Sequence, residues 1–245
     1  MKVKFDNSKL LKKIFNFSKD VNKEINILFT EELMDITCMG ESFCTFLQIH
    51  IPSSSFSEYE VPETTEIGIN MNILCKCLSA AKDNDSIKFH MNCEDHVEVL
   101  IGEKYEYKLA TMDILEDRLV VPDTDYEIEY KVVSSNFTDT VKNLAEFCDD
   151  TLISAEENKI QWESSFSDQS GKMKISWDEE DILNHLCDDV FSGSFSIKYI
   201  SEFNKINSIN KEMTIKSSKG IPLHLHVSQD EININYFVAP KIEDD

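Results

Sequence analysis

Glycine and proline are scarce in this chain, six and five among 245 residues, which excludes collagen-like and Pro/Gly-rich linker sequences. Cations are short as well: 24 Lys and Arg face 46 Asp and Glu, a net charge of −22. A non-specific grip on DNA or anionic lipid over the whole surface is thereby excluded, and any contact with nucleic acid requires a segregated basic face. No apolar run reaches the roughly 18 residues of a membrane span. The N-terminus lacks an apolar stretch followed by a small-residue cleavage site, so an intracellular protein is expected. The seven cysteines are odd in number and scattered through apolar contexts, which fits reduced thiols rather than a disulfide framework. The Asn16 and Asn136 glycosylation-type triplets then read as chance. What is present, 41% hydrophobic and 29% charged, is the balance of a packed globule, with room for one large domain or two of about 120 residues.

Catalytic signatures are missing too. The phosphate-cradling glycine loops, the nucleophile elbow and the HExxH zinc helix do not occur, so no catalytic residue, cofactor or metal is expected. Cys75 and Cys77 fall two apart on a predicted helix and point away from each other, which rules out a shared metal ion. His224 and His226 share one face of a predicted strand without a completing Cys or carboxylate pattern, and a solvated strand face is expected. The run Asp178, Glu179, Glu180, Asp181 lacks the glycine and spacing of a calcium loop and reads as an acidic loop.

The apolar pattern repeats. Leu10, Ile14, Phe17 and Val21 form an amphipathic helical stripe after an Asn7 or Ser8 cap, and Met71, Leu74, Leu78 and Ala81 mark a second helix. Strand-like alternation runs over 44–51, 86–91, 96–101 and 105–109. Phe137, Val141, Leu144 and Cys148 reproduce the first stripe 127 residues later, and Ile197, Ile200 and Phe203 follow Met71, Leu74 and Cys77 at an offset of 126. The strands keep step, with Met213 and Ile215, then Leu223, Leu225 and Val227, then Ile232 and Ile234 in the second half. A whole element order at nearly constant offset predicts two tandem copies of one α+β unit. Between them, 112–126 has no clean period, and Pro122 favours an extended connector. Leu119, Val120 and Val121 are apolar residues on that connector, and they either pack on a sheet or border a binding groove.

Lys12, Lys19 and Lys23 lie nearly opposite the first stripe and Lys76 opposite the second. Lys142, Lys198 and Lys205 lie away from the stripes of the second half, beside Asp139, Glu146 and Glu202. Cations so placed on a chain of −22 suit helices that line a common concavity facing nucleic acid.

The C-terminal run Tyr236-Phe237-Val238-Ala239-Pro240-Lys241-Ile242-Glu243 closely resembles the end of the proliferating cell nuclear antigen (PCNA) family. Leu11-Lys12-Lys13, Lys19-Asp20, Gly68-Ile69-Asn70-Met71, Met112-Asp113, Leu119-Val120-Val121-Pro122 and Tyr126 extend the resemblance in order along the chain. It implies an α+β DNA-clamp fold: a first domain over 1–111, a connector over 112–126 and a second domain over 127–245. Three subunits would close a ring, helices inside and sheets outside. The implied function is a non-catalytic sliding clamp that encircles duplex DNA without base readout and tethers DNA polymerase and other clients. A nucleus, or a site of viral replication, is the implied location. Lys12, Lys13, Lys19, Lys23, Lys76, Lys142, Lys198 and Lys205 would face DNA. Clients carrying a PIP box, a glutamine followed by an aliphatic residue and two aromatics in one helical turn, would plug into Met39, Phe46, Leu119, Val121, Pro222, Phe237, Ala239 and Pro240. The edge strand with Tyr105, Tyr107 and Leu109 would pair with the next subunit's Met173, Ile175 and Trp177. A clamp loader is the implied assembly partner. The main alternative is a related subunit of a heteromeric checkpoint ring or a viral transcription-associated relative. Glu157 stands where the family commonly has a modifiable lysine, which argues against switching by ubiquitin or SUMO unless Lys159 substitutes.

Overall fold

The computed structural model describes residues 1–115, 124–187 and 189–242. Two compact units form: one of Met1–Glu41, Phe46–Val120 and Gln229–Ile234, the other of Ser42–Thr45, Val121–Ser228 and Asn235–Asp245.

The first half of the chain runs β1 (Lys2–Phe5), α1 (Ser8–Val21), β2 (Glu24–Phe29), β3 (Leu33–Met39), β4 (Thr45–Pro52), β5 (Glu58–Glu60), β6 (Thr65–Asn70), α2 (Met71–Leu78), β7 (Ile87–Cys93), β8 (His96–Ile101) and β9 (Tyr105–Ala110). The second runs β10 (Ile128–Val133), α3 (Ser134–Phe147), β11 (Asp150–Glu156), β12 (Lys159–Ser165), β13 (Lys172–Trp177), β14 (Ile182–Cys187), β15 (Phe191–Ser196), α4 (Ile197–Glu202), β16 (Glu212–Ser217), β17 (Leu223–Gln229) and β18 (Ile232–Val238). Two 3-10 turns, Phe203–Lys205 and Asn207–Ile209, follow α4.

Strand order repeats as the residues did. The first half orders β5-β1-β7-β8-β9 and β4-β3-β2-β6; the second orders β14-β10-β16-β17-β18 and β13-β12-β11-β15. Sequence periodicity missed several of these strands, β5 and β14 among them, because β5 is only three residues long and β14 exposes most of its side chains, leaving no alternation to read.

Each helix pair covers a sheet with its apolar face. In α1, Leu10, Leu11, Ile14, Phe15, Phe17 and Val21 are buried, and Phe15 meets Phe89 edge to face at 6.0 Å. The Asn7 side chain caps the helix by accepting from Leu10 N–H at 3.1 Å, and Asn70 caps α2 from Ile73 N–H at 3.2 Å, satisfying donors that a helix start leaves orphaned. In the second half Phe137 meets Trp162 and Phe203, both at 6.1 Å. Ala81 and Phe203, read from the sequence as helical, lie just beyond α2 and α4. Both are still buried, since a turn continues the apolar face.

The start of the connector is held by backbone. Met112 N–H donates to the Gly68 carbonyl at 2.9 Å, and Asn26 Nδ2 donates to the Ile114 carbonyl at 3.0 Å. A Cβ on Gly68 would fall 2.0 Å from the Met112 carbonyl oxygen, so only glycine admits this approach. The second half repeats the contact at its own end: Lys241 N–H donates to the Ser194 carbonyl at 2.8 Å, and its ammonium pairs with Asp150.

Candidate functional site

The helix lysines divide by their surroundings. Lys76 and Lys142 are exposed on α2 and α3. Lys198 is exposed on α4 with its ammonium 5.1 Å from the centre of the Tyr199 ring. Lys13 is half-buried on α1, and Lys205 is exposed on the turn after α4. Lys12 departs from its expected free position: its Nζ donates to the Ala81 carbonyl at 2.7 Å and lies 3.5 Å from Asp83. The buried face of α1 takes in Leu11 and Phe15 as well as the stripe, which is broader than the periodicity suggested and brings Lys12 to its margin. Lys19 is also partly covered and reaches Asn16 Oδ1 at 3.3 Å. Lys23 is off the helix altogether, since α1 ends at Val21, and it pairs with Glu41 at 3.0 Å. Glu202, grouped by sequence with the lysine faces, accepts from the buried Tyr236 hydroxyl at 2.6 Å.

The apolar residues assigned to a groove fall into three groups. Met39 and Phe46 are cross-strand partners on β3 and β4, both half-buried. Phe237, Ala239 and Pro240 end the second half, and Pro222 is exposed just before β17. Leu119 and Val121 lie outside the described residues. Beneath Phe237 the structure adds a partner that sequence reading placed wrongly. His224 is buried rather than solvated, stacks on Phe237 with ring centres 4.4 Å apart, and lies 5.6 Å from Tyr126. Its Nε2 meets Asn235 Oδ1 at 2.9 Å. Burial pushes its pKa down to about 4, opposed by the Asn235 hydrogen bond and aided by nearby His226 and Lys216. The imidazole is therefore a neutral aromatic at neutral pH. The alternation with His226 hid this, because a strand that faces two ways carries no mark of which face is covered. Phe43 was also missed. It is 81% exposed with φ 59°, an uncommon conformation for a bulky residue, and it adjoins Cys44, whose carbonyl accepts from Ala239 N–H at 2.8 Å.

β9 and β13 are each the last strand of their sheet. Tyr105 is exposed and Tyr107 half-exposed on β9, and Met173 and Ile175 are half-exposed on β13. Leu109 and Trp177 differ from expectation. Leu109 is buried opposite Val97. Trp177 packs on Trp162 at 5.2 Å and donates from Nε1 to Thr140 at 3.0 Å. Residues two apart share a face, so Leu109 lies on the side of Tyr105 and Tyr107, and Trp177 on that of Met173 and Ile175; greater cover toward the end of each strand is what buries these two. Among the described residues no group of three or more His, Cys, Asp or Glu is placed to hold a metal ion, and Cys75 and Cys77 are each buried singly on α2. Asp181 of the acidic loop is taken up by Asn136 at 2.8 Å.

Residues 1–126 match the family model of the PCNA N-terminal domain, and residues 120–242 match that of the PCNA C-terminal domain. The chain belongs to the proliferating cell nuclear antigen family. Its relatives include the "DNA polymerase sliding clamp" of Pyrococcus furiosus, 23% identical over 243 residues and covering 98% of both chains. "DNA polymerase sliding clamp 1" of Thermococcus kodakarensis is 22% identical, covering 99% of this chain and 98% of its own. "Probable DNA polymerase sliding clamp 2" of Paramecium bursaria Chlorella virus 1 is 23% identical, covering 98% of this chain and 90% of its own. Membership gives the duplicated strand order its reason: this PCNA-family chain is two tandem copies of one α+β domain. Glu157 is exposed in the turn between β11 and β12.

Proposed function

We infer that this chain is a DNA sliding clamp, a processivity factor that does no chemistry and holds DNA polymerase on its template by encircling the duplex. Family membership along nearly the whole chain supports this reading. The observation that carries it physically is the charge pattern: a chain of −22 places five lysines on α1 and α2 against the single acid Asp20. An acidic exterior repels DNA while basic helices tolerate it, so a threaded duplex slides without base readout. We assign Lys12, Lys13, Lys19, Lys76, Lys142, Lys198 and Lys205 to the DNA side, with Lys23 at its margin.

The domain division at 1–111, 112–126 and 127–245 is part of the same reading, as is a homotrimer. β9 and β13 end their sheets, and unpaired edges invite strand addition. Pairing β9 of one subunit with β13 of the next is a heterologous contact that closes when the rotation completes a circle. Clients with a PIP box would seat their aromatics against Phe237, Ala239, Pro240 and Pro222, with Met39, Phe46 and the connector residues Leu119 and Val121 completing the groove. Action at a nuclear or viral replication site follows from the function.

The decisive experiment separates topology from adhesion. The chain is placed on nicked circular DNA by a clamp loader and challenged with high salt. A sliding clamp stays on the circle and is lost when the circle is linearised; equal loss from both overturns the reading. Light scattering at three times 28.2 kDa checks the homotrimer, and a chain that assembles only with other subunits favours the heteromeric alternative. A PIP-box peptide should bind at roughly micromolar strength, about −8 kcal/mol, and lose more than about 1 kcal/mol with Phe237→Ala.

A further inference from the structure

One pair of reactive side chains belongs to none of the sites assigned above. The β7–β8 hairpin turns through Glu94 and Asp95, and its closing pair is Cys93 opposite His96. Cys93 is exposed, and its sulfur lies 3.0 Å from His96 Nδ1. The turn is anchored: Thr111 N–H donates to the Asp95 carbonyl at 3.1 Å, the Thr111 hydroxyl donates to the Glu94 carbonyl, and His96 pairs with Ala110 of β9. A solvent-open thiol within hydrogen-bond reach of an imidazole is the arrangement of a base-assisted sulfur nucleophile, because the ring is placed to accept the thiol proton as the sulfur attacks. The acids Glu94 and Asp95 share the turn, so the attack depends on passing the thiol proton to the ring.

The other six cysteines supply the contrast. Cys38, Cys75, Cys77 and Cys148 are buried; burial pushes the Cys75 thiol up to about 11 and raises those of Cys77 and Cys148. Cys44 and Cys187 are half-exposed, but their thiols donate to the carbonyls of Ser42 at 3.4 Å and Asp189 at 3.2 Å, contacts that require the proton to stay on sulfur. Of the seven cysteines, Cys93 alone combines full exposure with a contact to an imidazole.

We propose that Cys93, activated by His96, is an oxidant-sensitive modification site of this chain, with hydrogen peroxide as its substrate. The Cys93 sulfur attacks one peroxide oxygen as its proton passes to His96, and the S–O bond forms as the O–O bond breaks. Sulfur gives up two electrons and becomes a sulfenic acid, while the departing hydroxide takes the proton from the His96 imidazolium and leaves as water. A cellular thiol can then condense with the sulfenic acid, releasing a second water and leaving a mixed disulfide on the hairpin.

The test exposes the full chain to dilute peroxide with dimedone, which traps sulfenic acids, and follows each cysteine by peptide mass spectrometry. Cys93 is expected to label first, at least about tenfold faster than the other six, and His96→Gln is expected to slow it by about tenfold. Cys93→Ser should remove the fast label. Equal labelling of Cys44 or Cys187, or a wild-type rate in a folded His96→Gln chain, overturns the proposal. A measurement that needs no variant stands beside it: iodoacetamide alkylation of wild-type Cys93 in competition with glutathione. Faster reaction of Cys93 supports activation by His96, and a rate at or below that of glutathione overturns it.

Discussion

The two halves share a fold and differ in how their helices are made. α1 and α2 carry five lysines and one acid, and α3 and α4 carry two lysines and three acids. The first pair is capped by Asn7 and Asn70, whereas α3 and α4 have no side-chain cap. α4 is six residues long and continues as 3-10 turns. The duplicated architecture therefore tolerates large changes on its helix faces while keeping strand order. In the ring proposed above, that difference would concentrate the attraction for DNA on the first half of each subunit.

The largest expected effect breaks this asymmetry directly. In the proposed trimeric ring, charge reversal at Lys13 and Lys76 would remove six contacts and should weaken direct DNA binding, and with it loader-driven placement, about a thousandfold at physiological salt, with a shallower salt slope, while rings already loaded stay linked by topology. Reversal at Lys142 and Lys198, where acids already dilute the field, should cost about tenfold. Equal losses, read by direct binding and loader-driven placement on primed DNA at several salt concentrations, would remove the asymmetry. Lys12 is a poorer probe, since losing its hydrogen bond to Ala81 would add about 1 kcal/mol of destabilisation.

Next in size is an acid response centred on His224 in the second half. His224 corresponds in the repeat to Glu98, which pairs with His90 at 2.9 Å in the first. Because the folded value of His224 is depressed to about 4, the unfolded chain takes up a proton first as pH falls. Its contribution is present above the ordinary histidine value near 6.5 and is lost between there and about pH 4, amounting to about 3 kcal/mol. His224→Phe, which keeps the stack on Phe237, should flatten stability over that window; urea midpoints at pH 7 and pH 5 check it.

The end contacts give a smaller effect. Gly68 and Ser194 occupy equivalent positions, and each carbonyl receives a backbone N–H from the segment following its half's last strand. Gly68→Ala should cost about 2 kcal/mol or displace the connector, because its Cβ meets the Met112 carbonyl. Ser194→Ala should be nearly neutral, and denaturant unfolding of the two variants compares them. Smallest is the capping difference: Asn7→Ala should cost about 1 kcal/mol, while Ser196→Ala, which removes no side-chain cap hydrogen bond, should cost less than about half of that in thermal unfolding.

How much was legible depended on the range of the interaction. The stripes on α1 and α3 and the alternation in β8, β16 and β17 could be read because neighbours three, four or two residues apart share a face whatever the rest of the chain does. The duplication was legible for the same reason, as local pattern recurring at constant offset. The lysines were legible as residues but not as environments. Lys12 looked free and bonds Ala81, 69 residues away in the chain. Glu202 looked solvated and accepts from Tyr236. Trp177 looked like part of an exposed edge and faces Trp162.

Composition and periodicity by themselves determined that this chain is a packed α+β duplication, acidic overall, with cations segregated on helices. Only the tertiary structure decided that His224 is buried and neutral beneath Phe237, that Gly68 must lack a side chain, and that one cysteine of seven is exposed beside an imidazole. Hydrophobic period reports which side of an element is apolar. Burial and pKa depend on what the fold brings against that side from distant parts of the chain, and no local pattern encodes that.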